Sequence, residues 1–165
     1  MANSKKVYIA GGCFWGMEDL FRTRKGIVDT EVGYIGGENE NPTYGNHPGH
    51  AEGIEITYDT AETDFKEIVD YFFRIHNPTT VDRQGNDRGS SYRSAIFFQN
   101  DEEKQIAEEV IAIVNKSNKW EGKVVTTLEP YTKFWSAEDY HQDYLVKNPN
   151  GYTCHFERFG TFLEK

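Results

Sequence analysis

The chain has 165 residues and a formal charge of −9, from 27 acidic and 18 basic side chains. This length suits one domain with a full hydrophobic core, so we expect a single domain over residues 1–165. A negative surface repels phosphate backbones and anionic lipids, so we expect neither nucleic acid nor a membrane as a partner. The chain shows no signal-like or membrane-spanning apolar stretch, and the cytoplasm is the expected compartment.

Short strands and helices are predicted to alternate along the chain, from the spacing at which apolar side chains recur. The elements are a strand at 6–10, a helix at 13–25, strands at 27–34 and 52–58, a helix at 64–75, a strand at 92–98, a helix at 100–118, a strand at 124–128 and a short helix at 138–147. Polar loops occupy 38–49 and 81–89, and an irregular C-terminal arm covers about 148–165. Some neighbouring strands lack a helix between them, which favours an α+β domain with a mixed β-sheet over a doubly wound parallel sheet.

Cys13 lies where the first strand gives way to the first helix, directly after two glycines. A thiol at a helix N-terminus feels the positive end of the helix dipole, which can lower its pKa from about 8.5 to about 3.5–7.5. Gly12 and Gly16 would let the backbone approach a ligand, and Phe14 and Trp15 would form an apolar wall beside the sulfur. The alternative is an inert cysteine buried in a helix core. Because this glycine-rich stretch is poor composition for a helix core, we interpret Cys13 as a reactive thiol.

Several short motifs in a fixed order extend beyond this cysteine. They are Gly12-Cys13-Phe14-Trp15-Gly16, Gly33-Tyr34 with Gly36-Gly37, Asn41-Pro42-Thr43-Tyr44, Gly49-His50-Ala51-Glu52, Gln84-Gly85-Asn86-Asp87-Arg88-Gly89 and Tyr92-Arg93-Ser94. With these motifs the chain resembles the peptide methionine sulfoxide reductases of the A class from Gly11 to Asn150. The resemblance implies a two-layer α/β sandwich with a mixed sheet and a ferredoxin-like core. It also implies reduction of methionine S-sulfoxide, free or in proteins, to methionine, and we expect no cofactor and no metal.

The resemblance assigns a role to each site residue. Cys13 would attack the sulfoxide sulfur and become a sulfenic acid, while Phe14 and Trp15 hold the substrate methyl group. The remaining residues would act on or around the sulfoxide oxygen: Glu52, Tyr44 and Tyr92 would hydrogen-bond it, and Asp87 would shape the site. Thiolate attack drives charge onto that oxygen, and Glu52 can supply a proton only when it is neutral. We therefore expect an aromatic, desolvated pocket to raise its pKa.

Taken singly, three of these residues also fit ordinary structural roles. Glu52 begins an alternating strand and suits an exposed position on it. Tyr44 lies among turn-forming residues and suits a surface aromatic, and Asp87, between Asn and Arg-Gly, suits an Asx turn. Only the joint occurrence of the motifs favours a shared site.

The second cysteine, Cys154, lies in the C-terminal arm. A sulfenic acid is normally returned to a thiol through a disulfide with a second cysteine. Family members often carry a recycling cysteine in this region, although here Thr153 separates Cys154 from Tyr152. The resemblance implies a Cys13–Cys154 disulfide that thioredoxin or a similar dithiol reduces. The open alternative is an idle Cys154 and attack of an external thiol on the sulfenic acid.

Three other functions fit parts of the sequence. Zinc binding would use His47, His50, His155, Cys154 and Cys13, but the chain has neither a Cys-x-x-Cys nor a His-Glu-x-x-His motif. A Cys–His hydrolase or acyl transferase would pair Cys13 with His50 or His141, and the placement of Glu52 argues against it. A non-catalytic module with an aromatic groove would bind peptides without turnover.

Overall fold

The computed structural model describes residues 3–153 and 155–163, so Cys154 lies outside the described residues. The strands are Ser4–Gly11 (β1), Ile27–Ile35 (β2), Ala51–Asp59 (β3), Arg83–Gln84 (β4), Asp87–Arg88 (β5), Ser94–Phe98 (β6), Thr127–Pro130 (β7) and Phe134–Ser136 (β8). The helices are Phe14–Phe21 (α1), Phe65–Ile75 (α2), Asp101–Ser117 (α3) and Tyr144–Lys147 (α4). Single 3₁₀ turns occur at Ser90–Tyr92 and Asp139–His141.

A mixed six-stranded sheet, in the order β7-β6-β1-β3-β2-β8, forms the centre of the fold. All neighbouring strands are antiparallel except β6 and β7, which are parallel. The order β6-β1-β3-β2, with α1 and α2 in the crossovers, is the split βαβ arrangement of a ferredoxin-like core. Strands β4 and β5 form a separate two-stranded ladder. The predicted α+β class, mixed sheet and ferredoxin-like core are confirmed.

Two helices with local capping signals cover one face of the sheet. The Asp64 side chain accepts the Glu67 N–H at 2.8 Å and begins α2. The Asn100 side chain accepts the Glu103 N–H at 2.8 Å and begins α3, which ends at Asn118 in the left-handed conformation. The apolar stripes of both helices join β1 and β3 in the main core cluster. These helices and the sheet make the two layers.

Several predicted elements differ in extent. Helix α1 ends at Phe21 rather than at residue 25, because turns that bond Arg24 N–H to Phe21 O and Ile27 N–H to Arg24 O lead into β2. The strand predicted at 124–128 begins only at Thr127. The predicted helix at 138–147 is interrupted by Asp143, whose φ of 52° breaks it into a 3₁₀ turn and α4. Within residues 3–153 and 155–163, no helix combines the length and apolar character needed to cross a membrane.

Candidate active site

Cys13 occupies the residue just before α1, at the end of the turn that follows β1. Gly12 makes that turn with a φ of +98°, which glycine adopts at little cost. Cys13 is 7% exposed, so it is largely buried yet retains a small accessible surface. The N–H of Phe14, the first residue of α1, donates to Glu52 Oε1 at 3.2 Å. This bond brings the carboxyl group from β3 to the residue adjacent to the thiol.

Glu52 is 1% exposed, so the exposed-strand interpretation is wrong for this residue. Burial raises the pKa of its carboxyl group to about 8, and the charge of Asp87 adds to that effect. The hydrogen bond from Phe14 N–H acts in the opposite direction but does not offset the burial. Glu52 is therefore mainly protonated at neutral pH and can donate a hydrogen bond.

Tyr44, in the loop after β2, and Tyr92, in the 3₁₀ turn before β6, lie within the electrostatic influence of the same carboxyl group. Burial, followed by the negative charge of Glu52, raises the pKa of both hydroxyl groups. The two hydroxyls also interact with each other, and the charge of Cys13 further raises the pKa of Tyr44. Both tyrosines thus stay protonated near neutral pH and can donate from their hydroxyls.

Asp87 lies in β5 and is hydrogen-bonded to Tyr152 of the C-terminal arm. Its Oδ2 accepts the hydroxyl hydrogen of Tyr152 at 3.1 Å. Burial raises the pKa of Asp87, and the bond from Tyr152 opposes that rise. The effect of Asp87 on the pKa values of Glu52, Tyr44 and Tyr92 places it in the same electrostatic environment.

Phe14 and Trp15 form an aromatic wall that other rings hold in place. Phe14 is 1% exposed and packs against Tyr34, with ring centroids 5.7 Å apart. Trp15 stacks on Tyr144 at 3.8 Å with an interplanar angle of 10°. The indole N–H of Trp15 donates to His141 Nδ1 at 2.9 Å. Two independent contacts therefore fix the orientation of the indole.

His141 lies at the centre of these aromatic rings. Its ring centroid is 5.1 Å from that of Phe14 and 4.7 Å from that of Tyr44. Burial lowers its pKa, which keeps the imidazole neutral, and a neutral Nδ1 can accept the Trp15 bond. Its buried Nε2 has no hydrogen-bond partner among the described residues. From the sequence, His141 was a candidate only for a catalytic base, so its contact with Trp15 was not predicted.

Two carboxyl groups that support the site, the buried Glu18 and the partly buried Glu138, were also not predicted. Glu18, 1% exposed in α1, accepts the Asp143 N–H at 2.8 Å and the Thr30 hydroxyl at 2.9 Å. Burial raises its pKa to about 7. Glu138 accepts the Tyr34 hydroxyl at 2.8 Å and the Tyr44 N–H at 3.0 Å. The signal for Glu18 in the sequence is its position as an acidic residue on the apolar side of the predicted helix.

The glycines beside Cys13 leave room for protein atoms on the side where a Cβ would point. A Cβ at Gly16 would lie 2.4 Å from both Thr153 Oγ1 and His155 Nδ1. A Cβ at Gly12 would lie 2.5 Å from Gln84 Cγ. The C-terminal arm and Gln84 thus occupy the space that side chains would need at these positions.

The histidines of the metal and hydrolase alternatives have other hydrogen-bond partners. His50 uses both ring nitrogens, with Gly37 N–H donating to Nδ1 at 3.1 Å and Asn39 O at 2.9 Å from Nε2. His47 contacts Thr43 O and Ser91 Oγ, each at 2.8 Å. In the described part of the chain, no group of three or more His, Cys, Asp or Glu side chains is placed to hold a metal ion. His50 therefore has no ring nitrogen left to activate Cys13.

A cysteine next to a buried neutral carboxyl group, with two tyrosine hydroxyls in the same electrostatic environment, indicates a thiol-dependent oxidoreductase. Residues 5–162 match the family model described as "Peptide methionine sulfoxide reductase". The chain belongs to this family of oxidoreductases.

Full-length relatives support this assignment. Proteins named "Peptide methionine sulfoxide reductase MsrA" from Mycobacterium sp. (strain MCS) and Nocardia farcinica (strain IFM 10152) are 60% and 57% identical over 158 residues. Each alignment covers 96% of this chain and 92% or 93% of the relative.

Solved structures share the fold. Reduced Mxr1 from Saccharomyces cerevisiae has a TM-score of 0.82 at 38% identity, covering 94% of this chain and 93% of that one. Methionine sulfoxide reductase A of Corynebacterium diphtheriae has a TM-score of 0.79 at 36% identity, covering 92% of this chain and 78% of that one. Mxr1 in complex with Trx2 matches with a TM-score of 0.60 at 30% identity, covering 94% and 91%.

Proposed function

We propose that this chain is a single catalytic domain that reduces methionine S-sulfoxide, free or in proteins, to methionine, with Cys13 as the nucleophile. The observation that carries this proposal is the buried Glu52 carboxyl group bonded to the N–H of the residue after Cys13. A protonated acid beside a thiol supplies what sulfoxide reduction needs, a nucleophile for sulfur and a proton for oxygen.

In the first step, the Cys13 thiolate attacks the sulfoxide sulfur and negative charge develops on the oxygen. Glu52 donates its proton to that oxygen, and the Tyr44 and Tyr92 hydroxyls donate hydrogen bonds to it. The oxygen is transferred to the Cys13 sulfur, and the bond between the oxygen and the substrate sulfur breaks. Methionine leaves, and Cys13 becomes a sulfenic acid.

The aromatic wall positions the substrate for this step. Phe14 and Trp15 contact the substrate methyl group, and an indole held by His141 and Tyr144 does so without having to reorient. Asp87, whose charge acts on both tyrosine hydroxyls, shapes the polar side of the site. The substrate sulfur is thereby held with its oxygen towards Glu52.

The second half of the cycle returns Cys13 to a thiol. Cys154 attacks the sulfenic acid, water leaves, and thioredoxin or a similar dithiol reduces the resulting disulfide. The solved complex of the relative Mxr1 with Trx2 supports this reductant. The cycle requires a compartment that keeps thiols reduced, and we place it in the cytoplasm.

Methionine release from the S-sulfoxide with dithiothreitol as reductant tests the first step. Cys13→Ser is expected to abolish release, and Glu52→Gln is expected to lower it by about 10²–10⁴-fold, the effect of losing a general acid, because glutamine has no proton to transfer to the oxygen. Glu55→Gln is a matched control, because Glu55 lies on the same strand and bonds to Tyr8 instead. Activity in Cys13→Ser, or equal activity in the two glutamine variants, would contradict the proposal.

A further inference from the structure

The residue directly after Cys154 in the sequence, His155, is bonded to the last residue of β1, two positions before Cys13. His155 Nε2 lies 2.6 Å from Gly11 O, and His155 is 5% exposed. A carbonyl oxygen only accepts, so Nε2 carries the proton and donates. Burial lowers the pKa of His155 to about 4, which keeps the imidazole neutral in physiological conditions. The C-terminal arm therefore has a defined attachment two residues before the nucleophile.

The turn around Cys13 has a shape that fits this imidazole. A Cβ at Gly16 would lie 2.4 Å from His155 Nδ1, and a Cβ at Gly12 would lie 3.3 Å from its Nε2. Thr153 Oγ1 also faces Gly16 and accepts the His155 N–H at 3.1 Å. Residues on both sides of Cys154 in the sequence thus pack on the glycines next to Cys13.

Bonds further along the arm hold it on α2. Arg158 N–H donates to Arg74 O at 2.8 Å, and Arg74 Nε donates to Phe159 O at 3.0 Å. The buried carboxylate of Asp70 accepts the Phe162 N–H at 2.8 Å. His155 is therefore the first of several attachments after Cys154, and the one next to the catalytic turn.

We propose that His155 is a positioning residue for the recycling step: its bond to Gly11 O fixes the arm beside Cys13 and thereby speeds the attack of Cys154 on the Cys13 sulfenic acid. This inference rests on the proposed function. In the step, a sulfur–sulfur bond forms between the cysteines while the sulfur–oxygen bond of Cys13 breaks. The oxygen leaves as water with the proton of the Cys154 thiol. Holding two reacting groups together raises their effective concentration and hence the rate.

The test separates methionine release from disulfide formation in single-turnover experiments without reductant. Wild-type chain and variants are mixed with excess methionine S-sulfoxide and quenched over time, and methionine and the Cys13–Cys154 disulfide are both quantified. In His155→Phe, methionine release is expected to keep its wild-type rate while disulfide formation slows by on the order of tenfold. The Cys13 sulfenic acid should accumulate and be trapped by dimedone.

Two variants serve as matched controls. His155→Gln keeps an N–H donor at a similar distance along the side chain and is expected to restore most of the disulfide rate. Thr161→Val removes a bond to Asp70 far along the arm and should leave the disulfide rate near that of wild type. Thermal melting establishes that each variant folds. If His155→Phe does not fold, Thr153→Val removes the acceptor of the His155 N–H and should slow the same step.

The outcomes distinguish this inference from the proposed function. A wild-type disulfide rate in His155→Phe, or equal slowing in His155→Phe and His155→Gln, would overturn the positioning role alone. Equal slowing of methionine release and disulfide formation would also overturn it, because that pattern indicates a general disturbance of the site. A wild-type chain that releases no methionine would refute the proposed function and the inference with it.

Discussion

Replacing Glu52 by glutamine is expected to stabilise the fold increasingly as the pH rises, while it removes most of the activity. The buried carboxyl group has a pKa of about 8, compared with 4.5 when it is free. Between these values the folded chain keeps a proton that the unfolded chain has released. Folding stability therefore falls as the pH rises through this window. Glutamine cannot ionise, so the variant does not lose this stability.

The size of the effect follows from the two pKa values. A tenfold change in proton affinity corresponds to about 1.4 kcal/mol, so the difference between 4.5 and about 8 sets an upper limit of roughly 5 kcal/mol above pH 8. Between pH 5 and pH 7 the retained proton of Glu52 should lower the free energy of unfolding of the wild type by roughly 2–3 kcal/mol. The Phe14 N–H keeps its acceptor, because glutamine retains a carbonyl oxygen.

Urea denaturation at pH 5, 6 and 7 measures this difference. The free energy of unfolding of Glu52→Gln, relative to wild type, should rise by roughly 2–3 kcal/mol across the range. Glu18, whose pKa is also raised, is present in both chains and cancels. Glu108→Gln, which removes one exposed carboxylate, controls for net charge. A difference that does not change with pH would show that Glu52 ionises in the fold and cannot be the proton donor.

Three further outcomes are expected. Methionine release should slow as the pH rises through about 8, where Glu52 loses its proton, and a wild-type profile without that decline would contradict its role. Cys154→Ser should still release one methionine per chain without reductant but lose turnover driven by thioredoxin; unchanged turnover would make Cys154 idle. His141→Phe, which removes the acceptor of the Trp15 N–H, should raise KM for the sulfoxide by about tenfold, and His141→Asn, which keeps an acceptor, should recover part of it. Equal KM values in the two His141 variants would exclude the positioning of Trp15.

The elements best predicted from sequence were those with local signals. The N-caps of helices α2 and α3 are Asp64 and Asn100. The side chain of each accepts a hydrogen bond from the backbone N–H three residues later. Strand β8 was not predicted, because three residues are too few to show alternation and the strand exists only through its pairing with β2. The predicted helix at 138–147 is broken because Asp143 bonds to Glu18, which lies 125 residues away in the chain.

The residues of the site also fall into two sets: those that sequence motifs indicated, and those that only the tertiary fold brings together. The motifs led to Cys13, Glu52 and the two tyrosines through a resemblance, whereas the residues alone left Glu52 open between a buried and an exposed position. Its burial depends on the contact of α1 with β3, which alternation along β3 cannot reveal. His141 and Tyr144 lie far from Trp15 in sequence, and only the tertiary fold brings these rings together.

The central claim is that Cys13 takes the oxygen of a methionine S-sulfoxide. It is tested most directly by mixing the chain with each sulfoxide epimer without reductant and measuring both the methionine formed and the thiols lost. We expect the S epimer to give one methionine per chain and to consume both cysteine thiols, and the R epimer to give neither. Loss of thiols without methionine, or methionine formation by Cys13→Ser, would contradict the claim.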